Sequence, residues 1–200
     1  ITYAIGVPAD IMASEVKLSL EGSECIVHTK EANVKLKTKL IGRHNISNIL
    51  ASVAFGLSQG IALEDITKAI ASFSGVKGRL EKVPCNDRNI FIDYAHTPDA
   101  LENVLSVLRQ LSRNKLTVVF GCGGERDSLK RPLMGNVAAR YADTIIITND
   151  NPRSEAPEKI AGDITSGIKG KEYKVILDRK EAISHAIAQS HAQDIVLIAG

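Results

Sequence analysis

The chain has 200 residues, 44% of them hydrophobic, with 25 basic against 23 acidic side chains and a formal net charge of +2. That content buries a sizeable core and excludes disorder along the whole length. Aromatic residues are only 4% with no Trp, and the charges are interspersed, which excludes an aromatic platform for single-stranded nucleic acid and a basic footprint for duplexes or anionic membranes.

Residues 15–40 alternate with period two. Val16, Leu18 and Leu20 are spaced by polar residues, as are Val34, Leu36 and, less cleanly, Leu40, with turn chemistry at Glu21-Gly22-Ser23. This predicts antiparallel strands with one wet face. A helix over 46–59 follows, with Ile46, Ile49, Leu50, Val53 and Leu57 on one stripe and Asn45 as its expected N-cap. A second amphipathic helix spans 63–73 on Ile66, Ala69, Ile70 and Phe73. Ser74-Gly75-Val76-Lys77-Gly78 breaks the pattern and reads as a linker, dividing the chain into 1–76 and 77–200.

After Arg79 strands and helices alternate. Strands are expected at 90–93, 116–120, 144–148, 174–177 and 194–199. Helices are expected from Pro98, capped by Thr97, to about Leu111, and then at 132–141, 157–168 and 180–190. This order makes the fold class α/β, with antiparallel strands and helices first and a mostly parallel sheet after. The chain opens without a cap or strand pattern and closes on a strand-like run at the point where a strand-end loop begins, so it reads as a fragment of a longer protein.

No apolar run approaches the ~20 residues a membrane span needs, and the first residues do not form a signal peptide. Cys25, Cys85 and Cys122 are far apart and make no C-x-x-C. They read as reduced thiols of a cytoplasmic protein, Cys122 being a small filler beside tight backbone.

Two strand exits carry the chemistry. In open α/β sheets ligands bind beyond the carboxyl ends of the strands. Gly121-Cys122-Gly123-Gly124-Glu125-Arg126-Asp127 leaves one strand and Asp150-Asn151-Pro152-Arg153 leaves the next. Arg126 and Arg153 offer two guanidinium forks. Together with Asp150, Asn151 and backbone N–H groups they suit a small zwitterion with more than one carboxylate and an ammonium group.

Each motif also has a plainer reading. The glycine loop is not a dinucleotide fingerprint, because position 126 is Arg and the helix is expected only near Pro132. It reads as an anion-receiving loop in preference to a solvated turn, since Asp127, Lys130 and Arg131 follow it. Pro152 fixes its own φ and extends Asn151; an Asn-Pro turn with Arg153 in solvent fits the residues equally well. Asp93 ends a strand at the crevice, where a carboxylate accepts from a ribose hydroxyl, and His96 reads as structural. Asn45 and Asn48, next to His44, share one side of a helix start. On the residues alone they are a cap and a solvated amide. No P-loop, H-E-x-x-H, EF-hand or G-x-S-x-G motif occurs.

Taken in order, several segments resemble the Mur ligases, and within them the branch that adds meso-diaminopimelate to UDP-N-acetylmuramoyl-L-alanyl-D-glutamate in peptidoglycan synthesis. They are Gly42-Arg43-His44-Asn45-Ile46-Ser47-Asn48, Gly78-Arg79-Leu80-Glu81, residues 93–101, residues 121–127 with 130–135, Asp150-Asn151-Pro152-Arg153, and 196–200. Residues 1–40 add little. The resemblance implies that 1–76 is the tail of a central ATP-binding domain and 77–200 a truncated Rossmann-like C-terminal domain. It implies that His44, Asn45, Asn48, Arg79 and Asp93 contact ATP, and that Arg126, Asp150, Asn151, Pro152, Arg153 and Gly200 hold diaminopimelate. The implied chemistry is amide ligation through an acyl phosphate, with ATP and Mg²⁺ bound mainly outside this chain. The implied protein is a cytoplasmic monomer. Lysine-adding relatives lack the arginine that matches Arg153. The family's P-loop, carbamylated lysine and UDP-sugar contacts precede residue 1, and its Gly-Lys-Gly-His-Glu segment breaks off after Gly200. The piece alone is therefore expected to be inactive, with weak diaminopimelate affinity at most. The alternatives are another Mur-type ligase, such as a lysine-adding one, and a non-catalytic nucleotide-binding module using Asp93 and the glycine loop.

Overall fold

The computed structural model describes residues 1–85 and 87–200. The chain forms two compact units, Ile1–Val76 and Lys77–Gly200.

The first unit holds strands β1 (Tyr3–Ile5), β2 (Ile11–Ser19), β3 (Gly22–His28) and β4 (Asn33–Thr38), then helices α1 (Arg43–Ser58) and α2 (Leu63–Ser72). The sheet order is β1-β2-β3-β4; β1 runs parallel to β2, and the other pairs are antiparallel. Strand β1 is too short to show a period, which is why the sequence pattern does not announce it. In β2 the inward parity changes midway. Ile11 and Ala13 face the core before the change; Val16 and Leu18 do so after it. A one-residue slip flips every later side chain, and here a β-bulge restores the phase. Ser14 pairs with Ile26 and Lys17 with Glu24, leaving two residues opposite one, with Glu15 at φ 50°.

Helix α1 lays Ile46, Ile49, Leu50 and Val53 on this sheet against Ile11, Ala13, Cys25, Val27 and Leu36. It begins three residues earlier than expected, and Asn45 is not its N-cap. Gly42, at φ 99°, takes the cap position, and its carbonyl accepts from Asn45 N and Ile46 N. That positive φ is not helical backbone and glycine adopts it at little cost, so the helix starts directly after Gly42. Asn45 Nδ2 instead donates to Ile41 O at 2.9 Å. In α2, Ile66 and Thr67 are buried and Leu63 and Ile70 pack on the core, whereas Ala69 and Phe73 are exposed. The inward stripe is one step off the expected one.

The second unit holds β5 (Glu81–Cys85), β6 (Arg88–Asp93), α3 (Pro98–Leu111), β7 (Leu116–Phe120), α4 (Lys130–Tyr141), β8 (Thr144–Ile147), α5 (Pro157–Thr165), β9 (Tyr173–Val175), α6 (Arg179–Gln189) and β10 (Ile195–Ala199). Its sheet order is β5-β6-β10-β7-β8-β9, parallel from β6 to β9. The alternation of elements gives this result, as the sequence implies. Strand β5, which the sequence pattern hides, pairs antiparallel with β6 and carries Pro84, tolerated because the strand lies at the sheet edge. Strand β10 returns between β6 and β7 and is buried throughout. Val196, Ile198, Val119 and Ile146 pack on Ala182 and Ala186 of α6. The alternate residues Leu197, Val118, Phe120 and Ile145 point to the other face, equally buried. Truncating such a core leucine to alanine costs about 2–5 kcal/mol, so this sheet is a stiff platform. Thr97 caps α3 as expected, its hydroxyl accepting from Ala100 N, with Pro98 in the first turn.

Candidate functional site

The carboxyl ends of β6, β7, β8 and β10 open on one cleft of about 630 Å³. Arg126, Asp150, Asn151, Arg153 and Gly200 line it, with Tyr94, His96, Cys122, Asp127 and Lys130. The two expected arginines therefore share a cleft, along with both polar side chains of the β8 loop. Arg126 and the Asp150 carboxylate have no hydrogen-bond or ion-pair partner among the described residues, so both are available to a ligand.

The two loops are knitted together. Gly124 N donates to Asn151 O at 2.8 Å, and Arg153 Nη1 donates to Gly124 O. Ser154 donates to Glu125 Oε1 through its hydroxyl and backbone N. A Cβ at Gly121 would collide with Thr148 O, and one at Gly124 with Pro152 O. These glycines let the β8 loop lie directly against the β7 loop. That corrects the expectation of a freely exposed set of backbone donors: Gly124 N and Glu125 N are spent across the loop pair, the latter on Glu155 Oε1 at 2.6 Å. Glu125 and Arg153 both sit at φ 51°. Left-handed backbone costs a non-glycine residue about 1 kcal/mol or more, and the cross-loop bonds hold it there.

Beneath the loops lies Arg131, fully buried. Its Nη1 and Nη2 donate to both Glu155 oxygens at 2.9 and 2.8 Å. Nη1 also reaches Asp163 Oδ2 at 2.9 Å, and Nη2 reaches Gly123 O at 3.3 Å. The bonds from Arg131, then that from Glu125 N, hold the Glu155 carboxyl down at about 2. Glu155 and then Asp163 raise Arg131 further above its already high value. Burial pushes the Cys122 thiol up to about 11, so it is a neutral filler, its Sγ 3.6 Å from Met134 Sδ. Arg131 was visible in the sequence only as part of a polar patch. No local signal marked it, because the helix was expected only from Pro132; in the structure Lys130 and Arg131 occupy the first turn of α4, which contains no acidic residue. Cations at the positive end of a helix dipole need a partner elsewhere.

Lys130 Nζ donates to His96 O at 2.6 Å, tying α4 to the loop after β6. His96 stacks obliquely on Tyr94, ring centroids 4.9 Å apart, and Arg79 lies 5.2 Å over the same Tyr94 ring. Arg79 and Asp93 do not line the cleft; Arg79 meets it only through Tyr94. Asp93 Oδ2 accepts from Leu80 N at 2.7 Å, and its carbonyl accepts from Gly200 N at 3.1 Å. The other carboxylate oxygen of Asp93 has no partner among the described residues. Pro152 turns the β8 loop, its carbonyl accepting from Glu155 N at 3.0 Å. His44, Asn45 and Asn48 belong to the first unit, at the start of α1. There Asn48 Nδ2 donates to Asn45 Oδ1 at 3.3 Å, so the two amides do share one side. No group of three or more His, Cys, Asp or Glu suited to a metal occurs among the described residues.

The Mur ligase glutamate ligase domain matches residues 78–200, and the Mur ligase middle domain matches residues 1–56. Over its whole length the chain is 45% identical to the UDP-N-acetylmuramoyl-L-alanyl-D-glutamate–2,6-diaminopimelate ligase of Bacillus cereus and 45% identical to that of Syntrophomonas wolfei. It spans 41% and 42% of their respective lengths. A solved structure of a ligase with that name superposes on all of the chain with a TM-score of 0.74 at 37% identity, the chain covering 42% of it. The folylpolyglutamate synthase of Thermotoga maritima shares the fold, with a TM-score of 0.75 at 19% identity, over 96% of this chain and 44% of that one. With the glutamate ligase domain accounting for more than half of its residues, the chain belongs to the Mur ligase family.

Proposed function

We propose that this chain is part of an ATP-dependent amide ligase that joins meso-diaminopimelate to the D-glutamyl carboxyl of UDP-N-acetylmuramoyl-L-alanyl-D-glutamate. The observation that carries this reading is the shared cleft: Arg126 and Arg153 both line it, and so do Asp150 and Asn151 from the loop of Arg153. Each guanidinium takes one carboxylate of the amino acid as a fork. Asp150 and the Asn151 carbonyl side orient an ammonium group. Pro152 sets the loop, and Gly200 leaves room at the end of β10. The names of the relatives support the same substrate.

Residues 1–76 are the end of a central ATP-binding domain and 77–200 a Rossmann-like C-terminal domain. His44, Asn45, Asn48 and Arg79 belong to the nucleotide clamp. Asp93 fits a ribose hydroxyl, because one of its oxygens is held by Leu80 N while the other has no partner among the described residues. ATP supplies a phosphoryl group that activates the acceptor carboxyl, and Mg²⁺ accompanies the phosphates. What these residues do is bind, orient and neutralise charge around the attacking amine. The full-length enzyme works as a cytoplasmic monomer.

The test is product formation by the full-length protein supplied with ATP, Mg²⁺ and the UDP-linked dipeptide. Turnover with meso-diaminopimelate and little with L-lysine is expected. Equal turnover with L-lysine would move the assignment to another branch, and no turnover with either would remove it. The isolated 200 residues should show no ligase activity and only weak diaminopimelate binding by calorimetry.

A further inference from the structure

We propose that Arg131 is a positioning residue that sets the separation of the Arg126 and Arg153 loops, and so selects a doubly acidic amine over a singly acidic one. The inference rests on the ligase reading above. Arg131 does not line the cleft. Its guanidinium holds both oxygens of Glu155, and Glu155 is placed to fix both arginines at once. One Glu155 oxygen accepts from Glu125 N, the residue before Arg126. The Glu155 backbone N closes the turn that contains Arg153 by donating to Pro152 O.

Arg131 is anchored on three sides. Its backbone lies in the first turn of α4, its Nη1 donates to Asp163 of α5, and its Nη2 donates to the carbonyl of Gly123, a residue that lines the cleft. One buried planar fork therefore ties the β7 loop, the β8 loop and α5 into a single body. A lysine would keep the charge but cannot span both Glu155 oxygens and Asp163 in one plane.

A ligand that bridges two forks is sensitive to the distance between them, whereas a ligand held by one fork is not. Loosening the brace should penalise diaminopimelate more than lysine, and neither change should reach the nucleotide. A residue that only stabilised the fold would lower all parameters together.

The experiment uses the full-length enzyme with Arg131→Met, Arg131→Lys and Glu155→Gln. It measures KM for meso-diaminopimelate and for ATP, and the ratio of kcat/KM for meso-diaminopimelate to that for L-lysine. For Arg131→Met we expect the diaminopimelate KM to rise by about tenfold or more, the ATP KM to stay within about twofold, and the ratio to narrow by about tenfold, since small misplacements of binding groups carry large kinetic penalties. Arg131→Lys should recover only a minor part of the loss. Glu155→Gln should move the same quantities in the same directions by a smaller factor, and it carries the test if Arg131→Met fails to fold. Parallel rises in both KM values, an unchanged selectivity ratio, or full rescue by lysine would overturn the proposal. A wild-type enzyme that does not use meso-diaminopimelate would overturn the ligase reading itself and this inference with it, and is told apart because it needs no variant.

Discussion

The two rims of the parallel sheet in the second unit both carry charged side chains but use them in different ways. At the rim where strands begin, Asp143 and Asp194 are consumed by the fold. Asp143 Oδ2 accepts from Leu116 N at 2.9 Å and from Arg109 Nη1 at 2.7 Å. Asp194 accepts from Lys115 N and His191 N at 3.2 and 2.8 Å. At the rim where strands end, the fold spends Arg131 and Glu155 on each other below the surface and leaves Arg126 and Asp150 unpartnered among the described residues. The lesson is that a charge cluster becomes a binding site when a buried, mutually paired layer frees the layer above it. Charge alone does not distinguish the two rims; the accounting of hydrogen bonds does.

Four substitutions test the contrast between the rims. The largest effect is expected for Arg153→Ala in the full-length enzyme. Losing a charge-assisted partner costs roughly 2–5 kcal/mol, and it should appear in the meso-diaminopimelate requirement and not in that for ATP. Equal rises in both would remove the special status of the strand-end rim. Next is Gly124→Ala, whose Cβ has no room beside Pro152 O. Forcing the β8 loop outward should lower unfolding free energy by about 1–3 kcal/mol in urea titrations, and should weaken diaminopimelate use as well. Asp143→Ala at the opposite rim should destabilise by a similar or smaller amount, about 1–3 kcal/mol, while leaving the diaminopimelate KM unchanged. A KM shift matching that of Arg153→Ala would erase the contrast between the rims.

The smallest effect is a pH dependence. The folded state holds the Glu155 carboxyl at about 2, against an ordinary value of 4.5. A depressed folded pKa contributes stability above the unfolded value, and that stability is lost as pH falls toward the folded one. The advantage of the wild type over Glu155→Gln in urea midpoint should therefore be full at neutral pH and shrink between 4.5 and about 2. A gap that does not change across that window would mean that Arg131 does not grip the ionised carboxylate.

Much of this organisation was legible in the chain. Thr97 and Pro98 announced α3 because capping chemistry is local, and the apolar run of β7 marked a strand. The two loops of the site were visible because strand exits in a parallel sheet share one edge. Asn45 misled because a good capping side chain lost to the positive φ of Gly42 three residues upstream. The β2 bulge could be recognised only once both inward parities were compared. Helix α4 starts at Lys130, before the proline, although residues preceding proline disfavour helical backbone. Long-range ion pairs to Glu155 and Asp163 hold Arg131 there, and no local pattern encodes them. The same non-locality hid the brace itself, since its partners lie 24 and 32 residues along the chain.

The most direct test of the central claim is a structure of the full-length enzyme with meso-diaminopimelate bound. One carboxylate of the ligand is expected on Arg126 and the other on Arg153, each within about 3 Å of guanidinium nitrogens. A ligand held by only one of these arginines, or lying outside the cleft they line, would contradict it.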